Sequence, residues 1–266
     1  MNQRLYRLEL SWKQSMGKRE NQEDNAGIYW TLQDPDEAAK GMMVVVADGM
    51  GGMERGEVYS ALAKENMLGY FRDHDKTNDM CRELQNAYGA AREAAVKARE
   101  QAEESDGGST VVAAIIRDNR FAFLSVGDSR ICLLRGNGLI QLNREHTLGV
   151  VLDERAAFGF IPQEMADLNT RRKTLTNHLN IENPQPCDLS SQPIDLVPGD
   201  KLILMSDGVF GTIDDDELTK ILLRPTTKYA DEVLAAVKRV GKKNQDNSTI
   251  AVISVYEDMP ETMPDV

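Results

Sequence analysis

The chain has 266 residues, 41% of them hydrophobic and 28% charged, with a formal net charge of −12. That acidity argues against nucleic acid as the main partner, and no apolar run approaches the roughly 20 residues of a membrane helix. Cys81, Cys132 and Cys187 are odd in number, widely spaced and in no metal-binding pattern. With no signal-peptide pattern at the start, they predict reduced thiols and a cytoplasmic protein.

In chain order, residues 5–12 alternate loosely and predict an edge strand, and 26–32 predict a second strand. Residues 42–47 are almost wholly apolar, which predicts a third strand covered on both faces. It is expected to end at the turn Asp48-Gly49-Met50-Gly51-Gly52. Two helices follow. The first, 57–71, places Val58, Ala61, Leu62, Met67 and Leu68 on one side. The second, 78–104, carries Leu84, Ala87, Ala91 and Ala94 at helical spacing and stops at Asp106-Gly107-Gly108. Strands then come quickly, at 109–117, 120–126, 130–135 and 139–142. Their short connections, Asp118-Asn119, Gly127-Asp128-Ser129 and Gly136-Asn137-Gly138, predict an antiparallel meander.

The stretch 146–180 is looser, with a short helix or two, and reads as a flap-like insertion over one rim. Strands at 194–197 and 201–205, helices at 214–223 and 228–240, and a strand at 248–256 complete the pattern. This order suits an α+β fold, a four-layer α-β-β-α sandwich of two antiparallel sheets packed face to face and flanked by paired helices. The length is enough for one good core, so residues 1–258 are expected to form a single domain, with 259–266 a flexible tail.

Four acidic clusters mark the ends of apolar runs: Glu23-Asp24, Asp48-Gly49, Ser206-Asp207-Gly208 and Asp246-Asn247. An acid at a buried strand end is costly unless something positive meets it. Several such acids point to one shared partner, most simply a divalent cation held by oxygen ligands. Asp48 can bridge two cations, and the Gly49 carbonyl, unblocked by a side chain, can add a ligand. Asp207 has the same strand-end, glycine-flanked context. Asp246 precedes the last strand, with Asn247 placed to brace it. These carboxylates suit a pair of Mg²⁺ or Mn²⁺ ions, which at about 4 Å separation lower the pKa of a bridging water and aim it at phosphorus. Arg19, a few residues before the first acidic pair, is the natural clamp for phosphate oxygens. Taken singly, each acid reads more readily as a turn residue or cap than as a ligand.

The motifs together are more specific. Arg19-Glu20-Asn21-Gln22-Glu23-Asp24 resembles the opening motif of the PP2C-type (PPM) metal-dependent protein phosphatases, in their bacterial form. Val46-Ala47-Asp48-Gly49-Met50-Gly51-Gly52 with Gly56-Glu57 is similar to their second motif. Gly108-Ser109-Thr110, Gly127-Asp128-Ser129-Arg130, Ser206-Asp207-Gly208 and Asp246-Asn247-Ser248-Thr249 follow in family order. The resemblance implies a serine/threonine phosphatase with a dinuclear Mn²⁺ or Mg²⁺ centre at one end of the sandwich. Asp48 would bridge both metals, the Gly49 carbonyl would serve the first, and Asp207 and Asp246 the second. Glu23 and Asp24 would hold water around the metals, and Arg19 would bind the substrate phosphate. Asp128 matches a residue that helps hold a weaker third metal in many members; a tight-turn aspartate in a hairpin is its equal alternative.

Some positions depart from the family. Met50 stands where animal members carry a histidine proposed as general acid, and Met53 where bacterial members often have one. His146, at the start of the flap, reads as structural or surface-exposed, and His74 as a solvated loop residue. His178 lies on the segment that returns from the flap. Arg144, Arg155, Arg171, Arg172 and Lys173, in and beside the flap, are solvated by default or help a phosphoprotein dock. The resemblance implies phosphorylated protein substrates, a bacterial Ser/Thr kinase as counterpart, and a monomer. A non-catalytic phosphoprotein-binding regulator of the same fold is the alternative; loss of metal acids would mark it, and Asp48, Asp207 and Asp246 are all present.

Overall fold

The computed structural model describes residues 6–31, 35–50, 55–102 and 107–258. Two strands open it, β1 (Arg7–Ser15) and β2 (Asp24–Tyr29). One helical turn, α1 (Pro35–Ala38), leads into β3 (Met42–Met50), and the long helices α2 (Gly56–Asp73) and α3 (Met80–Glu100) follow. Next come β4 (Gly108–Ser109), β5 (Val111–Arg117), β6 (Arg120–Val126), β7 (Arg130–Arg135) and β8 (Gly138–Gln141). Helices α4 (Leu148–Ala157) and α5 (Gln163–Asp167) form the flap. Strands β9 (Asp188–Leu189), β10 (Ile194–Asp195) and β11 (Lys201–Met205) return the chain to the sheets. Helices α6 (Asp207–Phe210), α7 (Asp215–Leu222) and α8 (Tyr229–Val240) precede the final β12 (Ser248–Tyr256).

The strands make two antiparallel sheets. One has the order β1-β12-β11-β7-β8; the other runs β10-β6-β5-β3-β2, with β4 beside β3 and β9 beside β6. Strand periodicity then divides the apolar residues among three layers. Met42, Val44 and Val46 of β3 meet Leu202, Leu204, Ala251 and Ile253 between the sheets. Met43, Val45 and Ala47, on the other face of β3, meet Tyr59, Ala63, Met67, Leu84 and Ala91 of α2 and α3. On the opposite sheet, Ile203, Met205, Ile250 and Val252 pack against Leu218, Ile221, Val233 and Val237 of α7 and α8. The result is the expected four-layer sandwich, and β3 is apolar throughout because both of its faces are covered.

Three local expectations are corrected. β3 does not stop at Ala47 but runs to Met50, because Asp24 pairs with Asp48 on one side, and Ser109 and Gly108 of β4 pair with Gly49 and Met50 on the other. Gly51, Gly52, Met53 and Asp106 lie outside the described residues. The strand run after α3 is not one meander. β5 and β6 form a hairpin, its Asp118-Asn119 turn having positive φ at both residues, as a type I′ turn requires. β7 and β8 form a second hairpin, but in the other sheet. Gly127-Asp128-Ser129 is therefore a crossover between sheets, and the hairpin reading of Asp128 falls. Local apolar alternation is the same in either sheet, so it cannot reveal the crossing. Finally, α2 buries Tyr59, Ala63, Met67 and Phe71; the predicted Leu62 and Leu68 pack beside them, but Val58 is exposed.

One buried ion pair ties the end opposite the acids. Arg117 at the end of β5 meets Glu83 of α3 at 2.7 Å, both side chains buried. The Arg117 guanidinium also donates to the carbonyls of Lys40 and Thr77. Removing one partner strands the other charge, so Glu83→Ala is expected to cost about 3–5 kcal/mol in urea unfolding. The paired change Glu83→Leu with Arg117→Met should cost far less; equal losses would show that packing rather than charge is at stake.

Candidate active site

Antiparallel pairing brings the acids to one end of the sandwich. β2 begins at Asp24, whose register partner Asp48 lies near the end of β3. In the other sheet β11 ends one residue before Ser206-Asp207, and β12 begins just after Asp246-Asn247, with Met205 beside Ile250. Arg130, which opens β7 after the Asp128 crossover, is also level with Met205. Two close approaches lock this end. A Cβ at Gly208 would lie 1.8 Å from the Asn247 carbonyl oxygen, so only glycine lets the Asp207 and Asp246 backbones meet. A Cβ at Gly49 would lie 2.2 Å from the Gly56 carbonyl oxygen and 2.5 Å from that of Glu23.

Asp48 is held by its backbone. Its amide donates to Thr110 Oγ1 at 3.0 Å, and its carbonyl accepts from the Thr110 amide at 2.8 Å and Ser109 Oγ at 3.1 Å. Thr110 Oγ1 in turn meets Ser129 Oγ at 2.8 Å, linking Asp48 to the crossover that carries Asp128. The Asp48 carboxyl is thereby left to the cleft. Burial first, then the charges of Asp24, Asp207, Asp128 and Asp246, push its pKa well above the ordinary carboxylate range. Burial also raises Asp128, to about 7, with Asp207 and Glu145 adding to the shift. Asp207 is raised by burial and by Asp246, an effect opposed by Lys173, Arg19 and Lys242. Burial and then Glu57 raise Glu23.

The remaining predicted residues are present, with some contacts other than expected. Asp24 is 1% exposed and spans the two sheets: its Oδ2 accepts from Ser206 Oγ at 2.8 Å and Thr249 Oγ1 at 2.6 Å. Its Oδ1, also buried, meets no amide or hydroxyl donor; burial lifts the group to about 6, against hydrogen bonds from Thr249, Ser206 and the Asp48 carboxyl. Asn247 does not brace Asp246 through its side chain. Its Oδ1 accepts from the Glu23 amide at 2.7 Å, and its Nδ2 donates to the carbonyls of Met16 and Asn21, pinning the loop that carries Arg19. The backbone amide of Asn247 is what meets Asp246 Oδ1, at 2.9 Å. Arg19 itself pairs with Asp246 Oδ2 at 2.7 Å.

Several contributors escaped the sequence reading. Ser206 and Thr249 were visible as motif residues but carry no charge to mark them. Glu57 stands beside Glu23 with a buried, unpartnered Oε2. His146 is structural: buried, it accepts from the Gly127 amide at Nδ1 (3.2 Å), and burial lowers its pKa. His178 sits against Gly108, with Nδ1 2.9 Å from Asn180 Oδ1. His74 is exposed and stacks on Tyr70.

Among the described residues, no three acids, histidines or cysteines are gathered tightly enough to hold a metal ion as they stand. Like charges in one cleft repel, and a bound cation would relieve that repulsion. Their chemistry fits a hard divalent ion: every donor is oxygen, each raised group is opposed by burial and by its neighbours' charge, and one buried oxygen of Asp24 meets no amide or hydroxyl donor.

The flap is mounted on the same end. The His146 amide donates to the Gly127 carbonyl, Thr176 to His146, Leu148 to Thr174 and Gly149 to Arg172, all at 2.7–2.8 Å. Arg172 clamps Asp153 of α4 and the Ala166 carbonyl of α5, and Arg144 pairs with Glu154.

Comparison with known proteins agrees with this fold. Residues 29–246 match the family model for protein phosphatase 2C. The serine/threonine phosphatase stp of Listeria welshimeri is 28% identical over 244 residues, covering 88% of this chain and 90% of that protein. Protein phosphatase PhpP of Streptococcus pneumoniae is 27% identical over 259 residues, covering 96% and 100%. Among solved structures, the Mycobacterium tuberculosis serine/threonine phosphatase PstP/Ppp superposes with a TM-score of 0.77 at 26% identity, covering 95% of this chain and 100% of that one. A PstP catalytic domain in complex with two manganese ions has a TM-score of 0.73 at 27% identity, covering 94% and 99%. With the family model matching most of its length, this chain belongs to the protein phosphatase 2C family.

Proposed function

We propose that this protein is a metal-dependent phosphatase that hydrolyses phosphoserine and phosphothreonine in other proteins by in-line displacement, with no phosphoenzyme. The observation that carries this reading is the convergence of Asp48, Asp128, Asp207 and Asp246 from both sheets on one cleft end, beside Arg19. Asp48, the Gly49 carbonyl, Asp207 and Asp246 would hold two Mn²⁺ or Mg²⁺ ions, and Asp128 would help hold a third. When bound, such a pair lowers the pKa of a shared water and neutralises charge on the phosphate oxygens.

The chain's own residues do the positioning. Asp24, fixed by Ser206 and Thr249, supports Asp48 from behind. Glu23 orders water at the rim. Arg19 is exposed, so its pair with Asp246 is cheap to break, and its guanidinium fits two phosphate oxygens. Asn247 holds the Arg19 loop against the acids. Met50 has no proton to give, and His146 is committed to Gly127, so neither protonates the leaving group.

The same reading extends to a single catalytic domain over 1–258, a monomer acting in the cytoplasm against a bacterial Ser/Thr kinase. Support for the setting comes from three cysteines without disulfide partners, from the bacterial phosphatases it resembles, and from the absence of any described helix long and apolar enough to cross a membrane. A non-catalytic regulator is disfavoured because each metal acid is present and placed at the cleft. The test is direct. Purified protein should hydrolyse p-nitrophenyl phosphate with Mn²⁺ and lose that activity in EDTA; turnover that persists in EDTA would refute the metal-dependent mechanism.

A further inference from the structure

The four most exposed large apolar side chains among the described residues all lie on the flap: Phe158 at 77%, Phe160 at 76%, Leu168 at 73% and Met165 at 59%. Clustered apolar surface of this kind is costly in water and marks a contact surface. It is also held in shape. The Phe158 amide donates to the Glu154 carbonyl, Phe160 to Arg155 and Leu168 to Glu164, and the two phenyl rings stand 6.4 Å apart. The Arg172 clamp on both α4 and α5 fixes the segments that carry them.

Two observations identify the occupant. The first is continuity: the hydrogen-bonded ladder from Gly127 through His146 to Leu148 and Gly149 fixes the flap to the turn bearing Asp128, at the rim of the acidic cleft. The second is charge. Although the chain is −12, residues 146–180 carry as many cations as acids. Arg144 and Arg172 are paired with Glu154 and Asp153, whereas Arg155, Arg171 and Lys173 have no ion pair among the described residues. Lys173 is joined to that ladder through Arg172 and Thr174, and its charge opposes the rise of Asp128 and Asp207. Glu164 and Asp167 likewise have no ion pair among the described residues, so the uncommitted flap charges are three cations against two acids, and an anionic segment meets less repulsion there than on the net-negative remainder. A second copy of the chain would bring two net-negative bodies together.

We propose that Phe158, Phe160, Met165 and Leu168 seat a large apolar side chain of the phosphoprotein substrate, so that the enzyme prefers phosphorylated sites with such a residue nearby. The inference rests on the phosphatase reading above and deepens it. The preorganised tip gives affinity through apolar burial, and Lys173 and Arg171 hold the anionic stretch between the tip and the cleft.

The test uses fluorescein-labelled phosphothreonine peptides of otherwise Gly-Ser sequence, with one Phe walked outward on either side of the phosphorylated residue. Affinity is read by anisotropy and turnover by phosphate release. One or two Phe positions should improve both Kd and KM by about tenfold over the peptide without Phe. In the Phe158→Ser/Phe160→Ser variant that preference should vanish, with p-nitrophenyl phosphate turnover and Tm unchanged. A wild-type protein indifferent to the Phe, or a variant that keeps the preference, overturns the proposal. So does a wild-type dimer in sedimentation velocity that the variant abolishes, because the tip would then bind a second copy. Loss of p-nitrophenyl phosphate turnover in the wild type would instead strike the phosphatase reading, and anisotropy would still report on the tip.

Discussion

Asp48→Asn is expected to lower Mn²⁺-dependent hydrolysis of p-nitrophenyl phosphate by roughly 10³-fold or more, while making the metal-free protein more stable. Both effects have one cause. The Asp48 carboxyl is the recessed centre of the acidic cleft, and its charge is opposed by burial and by Asp24, Asp207, Asp128 and Asp246. That opposition makes it a strong cation ligand and a poor structural residue. Asparagine is nearly isosteric and neutral, and its amide offers the Asp24 carboxylate a donor. The strand itself is untouched, because Thr110, Ser109 and Glu23 hold residues 48 and 49 through the backbone. Steady-state kinetics with a thermal melt in EDTA would show both changes. An Asn variant that retains activity would remove Asp48 from the centre; an inactive variant that is less stable would mean it is needed for folding.

The second large effect is a pH dependence of the metal-free protein that runs opposite to simple acid denaturation. Asp128 is raised from an ordinary value of 3.8 to about 7, and Asp48 is raised well above its ordinary value. From the unfolded pKa up to the folded one, the folded state holds more protons than the unfolded chain. Stability from these groups is thus complete at low pH and lost as pH rises through the folded pKa. His146 and His178 work the other way, since burial lowers them from 6.5, but about one pH unit above that value they are almost wholly neutral in both states. The clean window lies between about pH 7.5 and about pH 8, above the histidine range and below that where thiols ionise. There the melting temperature in EDTA should fall as pH rises. Mn²⁺, which competes with these protons, should recover more stability at the higher pH, about 2.7 kcal/mol at 100 times its Kd. Scanning fluorimetry across the window would check it, and a melting temperature in EDTA that climbs with pH would contradict it.

Much of this site was legible because its chemistry is carried by residue type and order. Aspartates at the ends of apolar runs, two of them followed by glycine, stand out against any structural background, and so does an arginine just upstream. What could not be read was which neighbours each acid would meet. Asp24 and Asp48 looked like separate clusters, yet they are register partners on adjacent strands. Asp24 also reaches Ser206 and Thr249, some 180 to 225 residues away in sequence, and thereby joins the sheets. Asn247 was expected to brace its neighbour Asp246, and it does so through its backbone amide, while its side chain holds the Arg19 loop. The flap cations looked alike in sequence, and only the contacts with Asp153 and Glu154 separate committed from uncommitted ones.

By itself, the sequence determined the periods and the donors: which stretches are strands, which are helices, that β3 must be covered on both faces, and that the functional ligands are oxygens. These follow from side-chain chemistry and from spacing within a few residues, which act before the chain is compact. Only the tertiary structure decided that Gly127-Asp128-Ser129 crosses from one sheet to the other, carrying Asp128 to the cleft end. It alone placed four apolar flap residues in water beside that cleft. A turn's local geometry is compatible with either sheet, and an apolar residue's exposure depends on what packs over it, so both outcomes rest on contacts between distant parts of the chain.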